Sequence, residues 1–341
     1  MPDNPVVTAA VIGAGIMGSG HAAVLAQNRQ VRLAAVASLP LAGAQEVAAR
    51  HRAAATDDYR EILEDPHIDL VTIATPDHLH AEICAAAAAA GKHFLVEKPL
   101  TTSLAEADRI VAQVREAGIK AMTCFNHRWI PSYAQARAEI EAGRIGVPRL
   151  AYARKNDRIY VPTQMLSWAG STTSAWFLSS HDIDLVTWFM GAKATSVHAT
   201  AVTGVLAGRG IDTPDAITAQ VRYAGGGVAT FESCWIYPDT YPTMTDSFIE
   251  VVGTDGVINL ERKSEQIEIA TADSYQYPRL AIMPTIHGRQ RGAMADAINH
   301  FVDCVVDDVE PLVTMESSRH VIAILDALHR SLDSGASERV E

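Results

Sequence analysis

Residues 6–18, Val6-Val7-Thr8-Ala9-Ala10-Val11-Ile12-Gly13-Ala14-Gly15-Ile16-Met17-Gly18, hold the stretch that decides the fold. Seven residues rich in Val, Ile and Ala read as a buried strand. Gly13, Gly15 and Gly18 follow at GxGxxG spacing, immediately before a helix-like run from Gly18 to Asn28. The glycines permit a tight turn and a close approach of the backbone. A dinucleotide pyrophosphate can then rest on the helix N-terminus, with Ile16 and Met17 in the first turn. A glycine pattern alone is a weak signal; its place between strand and helix points to a dinucleotide site.

Outward from that turn the alternation continues. Val31–Ala37, Leu70–Ala74, His93–Val96 and Ala121–Phe125 read as strands. Leu41–His51, Asp57–Leu63, His80–Ala90 and Ser103–Ala117 read as helices, the last with Ser103 as N-cap and Gly118 as C-cap. Strands separated by helices predict an α/β doubly wound parallel sheet over residues 1–125. From residue 126 the rhythm changes. Helices Ser132–Ala142 and His181–Phe189 precede strand-like runs at Thr195–Val202, Ala216–Tyr223, Val228–Trp235, Ser247–Val252, Gly256–Leu260 and Gln266–Ala270. Two amphipathic helices follow, Ala293–Val306 and Ser317–Ser331. Residues 126–341 are therefore expected to form a second, α+β domain around a mostly antiparallel sheet.

The chain has 341 residues and a formal net charge of −12, without a Lys/Arg block, which argues against nucleic acid and anionic membrane surfaces as partners. Its longest apolar runs, such as Cys84–Ala90, fall well short of the ~20 residues a bilayer crossing needs. The start, Met1-Pro2-Asp3-Asn4-Pro5, lacks the features of a secretory signal. Cys84, Cys124, Cys234 and Cys304 are scattered, so neither a disulfide framework nor a metal site is suggested, and a cytoplasmic location is expected.

An acidic residue normally follows the second strand, about 20 residues after the glycines, to hold the adenosine ribose. Here Ala37-Ser38-Leu39-Pro40 stands there. Without a carboxylate a 2′-phosphate is not repelled, and the Ser38 hydroxyl can donate to one. The cofactor expectation is NAD(P), leaning to NADP, with Arg32 or Arg52 as the basic group a phosphate would need.

Three further motifs come in order: Thr75-Pro76-Asp77-His78-Leu79-His80, Gly91-Lys92-His93 and Glu97-Lys98-Pro99-Leu100. They resemble the TPxxxH, AGKH and EKP series of the Gfo/Idh/MocA oxidoreductases, the glucose-fructose oxidoreductase and inositol dehydrogenase family. The likeness continues through Asn126-His127-Arg128, Gly143-Arg144-Ile145-Gly146 and Gly253-Thr254-Asp255-Gly256. It implies an N-terminal Rossmann domain and a C-terminal α+β domain whose open sheet joins copies into a homodimer or homotetramer. It also implies an NAD(P)-dependent oxidoreductase acting on a sugar, a polyol or a derivative. Thr75, Pro76, His80, Glu97, Lys98 and Asn126 would then line the cofactor, with Asn126 near the nicotinamide ribose. Lys98 stands at a strand end, where doubly wound sheets bind ligands, and an ammonium there can stabilise developing alkoxide character.

The family's acid/base histidine lies in a pattern like GGGxLxDxGxHxxD. Residues 171–184 match it at His181 and Asp184, whose spacing puts them on one helix face. His181 can relay the hydroxyl proton, and Asp184 can either orient it or cap the helix start, where a carboxylate suits the positive dipole end. Two departures stand out: Ser171, Thr172 and Thr173 replace the glycines, and Phe177 replaces the aspartate four residues before the histidine. Trp168, Arg154 and Asn156 are further substrate candidates, with Trp168 able to stack on a ring face. Two other functions are open to such a chain: a glycosidase that oxidises its substrate transiently, and a dinucleotide sensor without catalysis.

Overall fold

In the computed structural model, which describes residues 7–341, the N-terminal alternation forms β1 (Val7–Ile12), α1 (Ile16–Gln27), β2 (Val31–Ala37), α2 (Leu41–His51), β3 (Ala54–Thr56), α3 (Tyr59–Glu64), β4 (Leu70–Ile73), α4 (His80–Ala89), β5 (His93–Val96), α5 (Leu104–Ala117) and β6 (Ala121–Thr123). Val6, read as the first strand residue, lies outside the described residues, as do Met1–Pro5. The six strands are all parallel in the order β3-β2-β1-β4-β5-β6. That order reverses between β1 and β4, the place where such sheets open a crevice at their carboxyl ends. Local chemistry explains the best-read helix. Ser103 accepts from the Glu106 N–H at the start of α5, and Gly118 ends it in the left-handed conformation. Sequence reading missed the three-residue edge strand β3, too short for a pattern.

The second half holds α6 (Pro131–Glu141), β7 (Pro148–Arg158), α7 (Ser180–Met190), β8 (Ala194–Val202), β9 (Ala216–Tyr223), β10 (Val228–Tyr237), β11 (Thr245–Gly253) and β12 (Val257–Glu261). Two small hairpins follow, β13 (Ile269–Ala270) with β14 (Tyr275–Gln276), and β15 (Thr285–Ile286) with β16 (Arg289–Gln290). The chain ends in α8 (Ala293–Val306), α9 (Met315–Ser334) and β17 (Glu338–Arg339). The large sheet runs β12-β11-β7-β10-β9-β8-β17, antiparallel except for the pair β7–β10. The expected strand Gln266–Ala270 shrinks to Ile269–Ala270, because the exposed segment has only a two-residue partner.

The chain divides into two compact units. One contains the residues up to Trp129 together with Ala281–Ile322; the other contains Ile130–Leu280 and Ala323–Glu341. This corrects the single boundary after residue 125. The apolar face of α8, with Met294, Ile298, Phe301 and Val302 buried, returns to the first unit, where its Asn299 accepts from Asn28 at the end of α1.

In the second unit, the Gly253–Gly256 turn clamps the segment after α6. The Asp255 and Thr254 N–H groups donate to Ile145 and Val147, and a Cβ on Gly253 would lie 2.0 Å from the Ile145 carbonyl oxygen. Backbone cannot yield there as a side chain would. Gly253→Ala should cost about 1–3 kcal/mol of stability, read as a lower urea midpoint at unchanged slope. An unmoved midpoint would contradict this packing.

Candidate active site

The candidate residues divide between the two units. In the first, β1 ends at Ile12 and the Gly13 N–H donates to Ala37 across the β1–β2 gap, 2.7 Å. Gly13 has φ +105°, and a Cβ on it would meet the Ala74 carbonyl oxygen at 2.3 Å. On Gly18 a Cβ would fall 1.9 Å from the Gly13 carbonyl oxygen. Only glycine allows this crossing of β1, β4 and α1. Gly15, by contrast, has nothing within 4 Å of its would-be Cβ, and as N-cap of α1 it offers no side chain to the first-turn N–H groups. Ile16 is 68% exposed beside it, and Met17 is half-buried. Open space over uncapped helical N–H groups fits a dinucleotide pyrophosphate.

Ser38 is half-buried just past β2, its N–H donating to Thr56. Neither arginine read as its partner stands near it. Arg32 lies six residues back along an extended strand, ~20 Å away, and donates to Thr8 at the other end of the sheet. Arg52 caps the far end of α2, ~16 Å along that helix.

After β4 come Thr75 and Pro76, both half-buried, and then His80, fully buried. The ring nitrogens of His80 lie 2.7 Å from the Pro99 carbonyl oxygen and 3.0 Å from that of Thr75. Burial holds its pKa below the ordinary value, against the pull of those carbonyls. With both ring nitrogens at main-chain oxygens, His80 stands between the loop after β4 and the Pro99 segment. Lys92 of the second motif is likewise an anchor: its ammonium donates to the Asp65 and Ile68 carbonyls.

Glu97 is buried at the end of β5. The His21 ring on α1 donates to its Oε1 at 3.0 Å, and the Lys98 N–H donates to Oε2 at 3.3 Å. Its carboxylate thus lies within the fold, next to half-buried Lys98. Burial alone would raise its pKa; the hydrogen bond and charge of His21, together with Lys98, bring it below the ordinary value. His21, Glu97 and Cys124 present donor atoms within 4.8 Å of one another. Burial and the Glu97 charge push the Cys124 thiol well above its ordinary pKa, so the sulfur stays protonated and the group is a hydrogen-bonded network. His21 escaped sequence reading, although a histidine one turn past Gly18 in an alanine-rich helix was a usable signal. Asn126, after β6, is 3% exposed and its Oδ1 has no hydrogen-bond partner among the described residues, an acceptor that a ligand donor would satisfy.

In the second unit, His181 is half-buried in the first turn of α7 and Asp184 is buried three residues on. Between them Asp182 pairs with Lys155 of β7, both fully buried. Burial lowers the Lys155 pKa to about 8, against the opposing charge of Asp182, and raises that of Asp182. Side chains alternate along β7, so Lys155 faces α7 while Arg154 and Asn156 face the opposite side of the sheet. There Arg154 donates to Asp246 at 2.7 Å, and Asn156 donates to Glu232 at 2.7 Å and to the Tyr237 hydroxyl at 2.9 Å. The structure therefore brings these two substrate candidates together, but not onto the face that carries His181. Trp168 does belong beside the histidine's segment: its ring meets Phe177 edge-on at 6.1 Å.

Two family profiles cover most of the chain. That of the oxidoreductase family with an NAD-binding Rossmann fold matches residues 7–125, and that of the GFO/IDH/MocA C-terminal domain matches residues 133–259. The chain belongs to the GFO/IDH/MocA oxidoreductase family. Among its relatives, a scyllo-inositol 2-dehydrogenase (NAD(+)) of Bacillus subtilis is 31% identical over 315 residues, 90% of this chain and 89% of that one. Levoglucosan dehydrogenase of Pseudarthrobacter phenanthrenivorans is 31% identical, covering 77% of this chain and 75% of the other. The crystal structure of GenD2 from gentamicin A biosynthesis, in complex with NAD, superposes with TM-score 0.88 over 100% of this chain and 98% of that one, at 22% identity, which shows a shared fold. Among the described residues no helix is long and apolar enough to cross a membrane.

For this member of the GFO/IDH/MocA family, the Glu97 network has a pH signature. A carboxylate with a depressed folded pKa stabilises fully above its unfolded value, near 4.5, and the gain is lost as pH falls through the lower folded value. Glu97→Gln should cost about 1.5–3 kcal/mol at pH 7, with the gap to wild type shrinking below about pH 4.5. Thermal melts at both pH values check this; a gap independent of pH would contradict it.

Proposed function

We propose that this chain is an NAD(P)-dependent dehydrogenase or reductase acting on the CH–OH of a sugar, a polyol or a sugar derivative. The observation that carries the proposal is the glycine cradle over uncapped helical N–H groups, at the sheet whose β5 ends two residues before Lys98. Family membership and the activities named for the inositol and levoglucosan relatives support it.

Each residue has a role in this reading. A bound nicotinamide dinucleotide supplies the two-electron acceptor. Gly13, Gly15, Ile16, Met17 and Gly18 cradle its phosphates, Ser38 meets the adenosine ribose, and Thr75, Pro76 and Asn126 lie along its nicotinamide half. His181 takes the proton of the substrate hydroxyl, Asp184 holds the imidazole in orientation, and the Lys98 ammonium stabilises negative charge on that oxygen. His80 and Glu97 keep the Lys98 loop in place. The sheet of the second unit joins copies into a dimer or tetramer, and the four free, buried cysteines suit a reducing cytoplasm.

Lys98→Met should lower kcat/KM by about 10²–10³-fold while NAD affinity, measured by titration, changes little. Undiminished kcat would contradict the role of Lys98. With neither Arg32 nor Arg52 beside Ser38, the expected discrimination between NAD and NADP is within about tenfold, and Ser38→Asp should weaken NADP by a further tenfold or more through charge repulsion while sparing NAD. Dissociation constants for both cofactors check this; equal losses for the two would contradict it.

A further inference from the structure

Trp168 and Phe177 form an edge-on aromatic pair, ring centroids 6.1 Å apart, in the second unit. Phe177 stands four residues before the histidine, about one turn along the same helical run. Neither Trp168 nor Phe177 is buried; both rings keep part of their surface accessible, as does the His181 imidazole. Behind them Trp235 is fully buried and its ring lies 5.9 Å from that of Phe177, on a core of Ile159, Leu178 and Leu206. Phe177 is thus braced by that core, Trp168 packs on Phe177, and both rings are part-exposed.

The backbone that presents them is unusual. Val161–Met165 and Ala175–Ser179 are both π-helical turns; one leads into the Trp168 loop, and the other carries Phe177. Such turns are rare and recur at functional sites, because the extra residue per turn re-aims a side chain. Here one irregular turn carries Phe177 into the helix start that holds His181, and the other leads to the loop whose Trp168 packs on Phe177.

We infer that Phe177 and Trp168 form an apolar wall that takes a C–H face of the substrate beside the reacting carbinol, so that the preferred substrate lacks a hydroxyl there: an anhydro or deoxy sugar, or a deoxy polyol. The inference rests on His181 as the proton-relaying residue. An aromatic face offers an O–H only a weak π acceptor, far short of the hydrogen bonds it gives up in water, whereas C–H groups lose little water and gain dispersion contacts on the ring. A carboxylate at position 177 would do the reverse: it would accept from a hydroxyl and lose hydration without return against a C–H face.

The test uses matched compounds, D-glucose against 1,5-anhydro-D-glucitol, 2-deoxy-D-glucose and 3-deoxy-D-glucose, and myo-inositol against its monodeoxy derivatives. Kinetics are followed by cofactor reduction with NAD and NADP. Wild type should turn over at least one member lacking a hydroxyl about tenfold or more better than its parent. Phe177→Asp should reverse that preference, and Phe177→Leu should lower kcat/KM several-fold without reversing it. Preference for the fully hydroxylated parents throughout, unchanged in Phe177→Asp, would overturn the inference. Quenching of tryptophan emission by the same compounds separates this from the dehydrogenase reading. Saturable quenching by a dehydroxylated compound and not by its parent, in protein that reduces no cofactor, would uphold the wall and overturn the dehydrogenase. Equal quenching by both members, or none, would overturn the wall.

Discussion

The first unit depends on a contact that admits no side chain. Gly13 and Gly18 let the end of β1, the end of β4 and the start of α1 come within van der Waals distance of one another, with would-be Cβ positions only 2.3 and 1.9 Å from carbonyl oxygens. That approach puts the α1 N-terminus over the point where the sheet order reverses, where its uncapped N–H groups favour an anion. From there two ties extend the order across the sheet. The His21 ring, one turn further along α1, bonds Glu97 at the end of β5, and His80 links the loop after β4 to Pro99. Lys98 sits between these ties, so a lysine with a flexible stem starts from a fixed backbone.

The second unit reaches the same end by charge. Lys155 and Asp182 are both buried, and taking two charges out of water is repaid only by close pairing. Such a pair is weak evidence for stability; its value is positional. It pins the first turn of α7 to β7, and the residue on either side of Asp182 is therefore held in a set direction. His181 is one of them.

How much of this the sequence discloses follows the range of the interactions. The strand, turn and helix around Gly13, and the caps Ser103 and Gly118, come from forces acting over a few residues, and they are where the sequence places them. The parallel pairing of β7 with β10, the return of α8 to the first unit and the shortening of Gln266–Ala270 to two residues depend on partners distant in the chain. Site residues follow the same division. Motif spacing locates Lys98 and His181, yet it cannot say that His80 and Glu97 are turned inward, or that Arg154 and Asn156 are on the opposite face from α7. Arg32 and Arg52 show the limit clearly, since closeness to Ser38 in sequence becomes ~16–20 Å along rigid elements.

The central claim is that this family member moves two electrons from a carbinol carbon to its dinucleotide. Incubation of the protein and NAD(P) with a pooled set of ring-deuterated inositols, polyols, anhydro-sugars and deoxy-sugars, followed by mass analysis of the recovered cofactor, tests it directly. The account predicts one deuterium in the reduced dinucleotide and a carbonyl in one member of the pool. A dinucleotide that binds tightly but returns unreduced and unlabelled, whether or not a glycosidic probe is cleaved, would contradict it.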